Sequence, residues 1–187
     1  LAPAGSGPPL GLVHGFPLDH SMWQGQIESL SSQFHVIAPD LRGFGQSKST
    51  DEVVTMAQFA DDIAAMLDAL EITEPIVYCG LSMGGYIGWQ FIQRHRDRVA
   101  KLIQCDTKAK ADTDEARATR LKAADHVLEH GSETLIATMM PKLFAEASNS
   151  SQPEVVEATR QVMMNTAPSA IAAAQRGMAQ RPDVTNE

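Results

Sequence analysis

Residues 75–85 read Pro75-Ile76-Val77-Tyr78-Cys79-Gly80-Leu81-Ser82-Met83-Gly84-Gly85, and this stretch decides the fold. Its first five residues are a short apolar and β-branched run opened by a proline, which predicts a buried strand over 75–79. From Tyr86 to His95 the apolar positions take helical spacing. Between the two lies Gly-x-Ser-x-Gly, so a serine sits in a sharp turn from strand into helix. A turn that tight strains its central residue, and a glycine on each side removes Cβ atoms that would collide there. The serine hydroxyl is pushed out at the end of the sheet, with a helix N-terminus behind it that favours developing negative charge. Ser82 is therefore the candidate nucleophile.

The same alternation continues on both sides. Leu10 to His14 is a short apolar run, and Asp19 to Leu30 carries Met22, Trp23, Ile27 and Leu30 at helical spacing. Phe34 to Ala38 is β-branched and aromatic, stopped by Pro39. The next helix is marked by Met56, Phe59, Ala60, Ile63, Met66, Leu67 and Leu70 on one face, with Thr55 and Gln58 as a capping box. Val99 to Cys105 is a fourth strand. Strands and helices in alternation, with nearly continuous apolar strands, predict an α/β protein whose mostly parallel sheet is covered on both faces.

After Asp106 the period is helical throughout. Thr113 caps a helix ending at His130 before Gly131, and 132–140, 153–165 and 168–178 read as three more. The chain thus divides into a core over 1–106 and a helical cap, or lid, over 107–187. Five of the nine methionines (139, 140, 163, 164 and 178) fall in the cap, where they serve packing or an adaptable apolar surface.

The 187 residues are 43 % apolar and 20 % charged, which excludes a disordered, collagen-like or coiled-coil chain. A net charge of −8 without a basic cluster argues against nucleic acid or an anionic membrane as partner. No apolar run approaches the ~20 residues that span a bilayer. The opening Leu1-Ala2-Pro3-Ala4-Gly5-Ser6-Gly7 has neither an initiator Met nor a basic leader, so it reads as a chain entered partway rather than a signal peptide. Cys79 and Cys105 lie in apolar strands and read as two reduced core thiols, which fits a cytoplasmic setting.

A second motif, His14-Gly15-Phe16-Pro17, follows the first strand. The backbone N–H of Phe16 and that of Met83 are the candidate pair of donors for an oxyanion, where losing a single donor can cost ~3 kcal/mol of transition-state stabilisation. His14, first in its turn, reads as a residue that orders the loop rather than as a base.

With Asp40-Leu41-Arg42-Gly43-Phe44-Gly45-Gln46-Ser47, these two motifs stand in an order and spacing that resembles the α/β-hydrolase superfamily, closest to its small esterases, perhydrolases and C–C-bond hydrolases with a helical lid. The likeness is strong over 10–106. It implies an ester hydrolase without metal or organic cofactor, in which the Asp40–Ser47 segment is structural and Asp40 and Arg42 have no catalytic role. Ser82 in place of an aspartate speaks against the dehalogenases and epoxide hydrolases of that superfamily. The resemblance also implies an acid and a histidine after later strands. Neither is in the sequence, half of the family's usual sheet is readable, and the base is expected beyond residue 187. Asp106, at the end of the strand beside the nucleophile strand, is the candidate acid in hand.

Of the other histidines, His126 and His130 lie one turn apart on a solvated helix face, and no third group offers a metal site. His35 and His95 read as structural or surface residues, and His20 with Leu18 as substrate-binding. The expected function is cleavage of small apolar carboxylic esters through a Ser82 acyl-enzyme, with Phe16, Leu18, Met83 and the cap methionines making the site apolar. The alternative is a non-catalytic binding module or half of a split assembly, because the catalytic histidine is absent. An unpaired edge at 99–105 predicts self-association or pairing with a missing C-terminal segment.

Overall fold

Four parallel strands run in the spatial order β2-β1-β3-β4 in the computed structural model, which describes residues 5–186. They are β1 (Pro9–Val13), β2 (His35–Ile37), β3 (Ile76–Leu81) and β4 (Val99–Cys105). The reading of Leu1 to Ala4 lies outside the described residues. Register is set by Leu10 against both Val36 and Val77, and by Leu81 against Cys105. An irregularity beside Ile76 and Val77 leaves Ala100 unmatched near the start of β4.

Alternate strand residues feed the two faces, as a period of two requires. Leu10, Leu12, Val36 and Cys79 pack with Trp23 and, on α1 (Gln24–Leu30), with Ile27 and Leu30. Val13, Ile37, Ile76 and Tyr78 face the larger core, built with α2 (Met56–Ala69) and α3 (Met83–Arg94). There Phe59, Leu67, Ile87 and Phe91 are fully buried. Thr55 caps α2 by accepting from the Gln58 N–H at 3.1 Å, as its motif predicts. Several boundaries shift from the sequence reading, and two of these bear on the site. β3 continues through Leu81, and α3 begins at Met83 rather than Tyr86, because the glycines after Ser82 hide the helical period.

The helical part comprises α4 (Asp114–His130), α5 (Glu133–Leu143), α6 (Glu146–Ser151), α7 (Pro153–Asn165) and α8 (Pro168–Ala179). α5 runs past its expected end and carries Pro141 inside it, and α6 was not expected at all. α8 joins the main core through Ile171, Ala173, Ala174 and Met178. It is fixed to α4 by Arg120 and Arg181, which both donate to the buried Asp112 carboxylate at 2.6 and 2.7 Å. Burial would raise the Asp112 carboxyl, but hydrogen bonds from Arg181 and then Arg120 outweigh it and hold it at about 2. β2 and β4 are the two outer strands among the described residues, and Ile103 on β4 is 45 % exposed.

Candidate active site

Ser82 leaves β3 at φ 52° and ψ −107°, a left-handed conformation that costs a non-glycine residue roughly 1–3 kcal/mol and persists only when its surroundings enforce it. The surroundings do so. A Cβ on Gly80 would lie 2.3 Å from the Gly84 carbonyl oxygen, and one on Gly84 would lie 2.3 Å from that of Val13. Only glycine lets the turn close against itself and against β1. The Ser82 N–H donates to the Cys105 carbonyl at 2.9 Å, and its own carbonyl accepts from Gly85, Tyr86 and the Thr107 hydroxyl. The Tyr78 hydroxyl donates to the Gly84 carbonyl at 2.8 Å. Thr107 and Tyr78 were missed by sequence reasoning; nothing in their spacing marks them, since each acts through a backbone carbonyl across the turn.

Met83 opens α3, so its amide has no partner within the helix. Its side chain is fully buried in the core and contributes nothing to a pocket wall, contrary to expectation. The Phe16 amide has no hydrogen-bond acceptor among the described residues. It sits in a turn closed by the Leu18 N–H on the Gly15 carbonyl, and an added Cβ on Gly15 would lie 3.7 Å from the Ser82 Cβ. The two motifs thus meet at one end of the sheet.

His14 is completely buried. Its Nδ1 faces the Gly15 carbonyl at 2.9 Å, and its Nε2 accepts from the Leu41 N–H at 3.0 Å, so the ring is neutral with the proton on Nδ1. Burial drives its pKa down to about 4 against a smaller upward pull from the Gly15 carbonyl. It ties the loop after β1 to the loop after β2, and both its nitrogens are committed. Thr166, at the end of α7, fastens the same loop from above by donating to the Pro17 carbonyl at 3.1 Å.

His20 and Leu18 go to different places. Leu18 lines an apolar groove of about 720 Å³ with Met22, Leu81, Phe144, Val155 and Val162. No cap methionine lines it; Met163 is buried, and Met139, Met140 and Met164 pack beside it around Leu18 and Ile136. His20 instead borders a separate recess of about 150 Å³, with its Nδ1 2.6 Å from an Asp40 oxygen. Asp40 also accepts from the Gln46 and His20 amides, which outweigh its burial and lower its pKa. Asp19, His20 and Asp40 bring ligand-type atoms within 4.8 Å of one another. Two of the three are already engaged with each other, and Asp19 accepts from the Ser21 N–H and hydroxyl.

Asp106 follows β4 at φ 40° and is exposed. Among the described residues no histidine hydrogen-bonds to Ser82 or to Asp106. His95 is bound to Asp61 at 2.8 Å, and His126 and His130 lie on the exposed face of α4 with tilted rings whose centroids are 4.7 Å apart. No helix of the described residues is long and apolar enough to cross a membrane.

A strand–serine–helix turn with two backbone donors beside it that have no acceptor among the described residues is the arrangement of the α/β-hydrolase fold, and known proteins agree. The family model for the α/β-hydrolase fold matches residues 8–184, and the chain belongs to that family. It is 30 % identical over 161 residues to 3-oxoadipate enol-lactonase 1 of Acinetobacter baylyi, covering 86 % of this chain and 59 % of the lactonase. Among solved structures, a thermophilic esterase from Thermogutta terrifontis is 45 % identical with a TM-score of 0.97, over 99 % of this chain and 68 % of the esterase. An enol-lactonase from Burkholderia xenovorans is 29 % identical with a TM-score of 0.87, over 96 % of this chain and 67 % of that one. The chain thus spans about three fifths to two thirds of the length of these relatives.

Proposed function

We propose that this chain carries the nucleophile half of a serine hydrolase acting on carboxylic esters of small apolar substrates, a carboxylesterase-type activity in a cytoplasmic protein. The observation that carries this reading is the left-handed backbone of Ser82 in a strand-to-helix turn that Gly80 and Gly84 let close, with the Phe16 and Met83 amides beside it. Ser82 Oγ attacks the ester carbonyl, the alcohol leaves with a proton, and water then hydrolyses the acyl-enzyme. The Phe16 and Met83 amides receive the oxyanion. Leu18 and the apolar groove take the hydrophobic part of the substrate, and His20, held by Asp40, borders the separate recess beside it. The relatives named as esterases and enol-lactonases support ester or lactone chemistry over perhydrolysis or C–C cleavage. Residues 107–187 act as the cap over that groove.

A second reading has its own support: no described histidine reaches Ser82, so the chain by itself is a binding module or half of an assembly. We assign Asp106 as acid only in an assembly that brings a histidine to it. The outer edge of β4, with exposed Ile103, is then the surface on which a second copy or a further segment pairs.

The experiment is treatment of the folded chain with a fluorophosphonate probe and with a p-nitrophenyl ester, beside Ser82→Ala. Probe attached at Ser82 with turnover supports the enzyme. A folded chain that neither labels nor turns over establishes the binding module for this chain.

A further inference from the structure

Cys79 and Cys105 stand on the neighbouring strands β3 and β4, with their Sγ atoms 3.9 Å apart and no disulfide between them. The ladder pairs Cys79 with Ile103 and Cys105 with Leu81, so the two are diagonal neighbours on the face that packs against α1. Cys79 is buried and Cys105 half-buried, so one thiol of the pair is open to a small solute while the other is shielded behind it.

We propose that Cys79 and Cys105 form a reversible disulfide site, closed by a hydroperoxide, that staples β3 to β4 directly beneath the Ser82 turn. The Cys105 thiolate attacks a peroxide oxygen, breaking the O–O bond and giving the sulfenic acid and, after protonation, one water from hydrogen peroxide. The Cys79 sulfur then displaces the sulfenic hydroxyl, which leaves with the Cys79 proton as a second water. Two thiols are oxidised by two electrons and one peroxide is reduced. Burial, and then the neighbouring Cys105, push the Cys79 thiol up, so it waits protonated and takes the second role rather than the first.

Closure must move backbone as well as side chains. Diagonal neighbours in a ladder have Cα atoms ~7–8 Å apart, whereas a disulfide takes about 4.4–6.8 Å. Side-chain rotation closes the 3.9 Å between the sulfurs but leaves the Cα separation unchanged, so the end of β4 must supply that difference by drawing toward β3. That end holds the Cys105 carbonyl on which the Ser82 N–H rests at 2.9 Å. Oxidation therefore reaches the strained serine through one backbone hydrogen bond. This does not depend on the chain's being a hydrolase, and neither readout below uses catalysis.

The test exposes the reduced chain to hydrogen peroxide, blocks remaining thiols with iodoacetamide, and measures intact mass and linked peptides. The expected product is a monomer lighter by about 2 Da, with neither cysteine alkylated and a Cys79–Cys105 peptide that dithiothreitol removes. In Cys79→Ser, and in Cys105→Ser should the first fold poorly, that product is absent. Hydrogen exchange of the segment 80–85 should be roughly tenfold faster in the disulfide form. Alkylation of both thiols after peroxide, sulfinic or sulfonic acid on Cys105, or a disulfide-linked dimer would overturn the site. Unchanged exchange in a disulfide-bonded monomer would overturn its connection to the Ser82 turn.

Discussion

Helices α7 and α8 are consecutive, of 13 and 12 residues, and each begins with a proline in its first turn, yet α7 buries one residue and α8 buries nine. The difference lies in side-chain size. α8 is Ala170 to Ala174 with Gly177, so its backbone comes against the main chain before α2, and the Val54 N–H donates to the Ala173 carbonyl at 3.2 Å. α7 has Met163 inside and presents Val155, Ala158 and Val162 to the groove. The helical part is accordingly two things: α4 and α8 anchored to the sheet layers, and the end of α5 with α7 bounding an apolar groove. Stability should reside in the first and ligand contact in the second.

The largest effect is expected where the anchor uses buried charge. Asp112→Asn leaves Arg120 and Arg181 facing a neutral amide, and breaking one partner of a buried ion pair costs about 4 kcal/mol. Urea unfolding should show the loss; a change below about 1 kcal/mol would mean the anchor is not ionic. Next comes Gly177→Ala. Its Cβ would lie 1.8 Å from the Val54 carbonyl oxygen, closer than any contact can be, so α8 must lift, at about 3 kcal/mol. A variant as stable as the parent would show that α8 is not seated as described.

This contrast was only half legible in the sequence. The turn at Ser82 could be read because glycine, serine and the change of period are adjacent in the chain. The burial of α8 could not, because Ala170 to Ala174 offers no polar face to orient the helix and its partner residues near Val54 are far away in sequence. Asp112 and Arg181 are 69 residues apart, and no local pattern announces that they will meet. The stretch Glu146–Ser151 has no apolar period at all, so α6 was invisible. At the site, Ser82 was found through its motif, whereas Thr107 and Thr166 act on backbone carbonyls and leave no trace in spacing. Of the two roles open to the cap methionines, packing is the one taken: Met163 is buried, and Met139, Met140 and Met164 pack around Leu18 and Ile136.

Acid should separate the two parts in order. His14 is neutral when folded, with a pKa of about 4 against 6.5 when free, so below pH 6.5 the unfolded chain binds the extra proton. Stability is full above 6.5 and falls by about 3 kcal/mol as pH approaches 4. Asp112 has its carboxyl lowered from 3.8 to about 2, so its contribution is present above 3.8 and is lost only below that. The loop under α7 should therefore loosen before the α8 anchor, and His14→Gln should flatten the stability profile between pH 6.5 and 4. An unchanged profile in that variant would refute the assignment.

Smaller effects fall at the junction and on α7 itself. Thr166→Val strands the buried Pro17 carbonyl at about 1–2 kcal/mol, and Thr166→Ser, which keeps the hydroxyl, should restore most of it. Val155 is 45 % exposed at the groove wall, so Val155→Ser should leave stability within about 0.5 kcal/mol. The same change removes apolar wall from the groove, and an apolar fluorophore titrated into it should bind about threefold more weakly. The two results together are the discriminating pair. If Val155→Ser destabilised the fold like Gly177→Ala while leaving binding untouched, α7 would be anchor rather than wall, and the division between the two helices would fail.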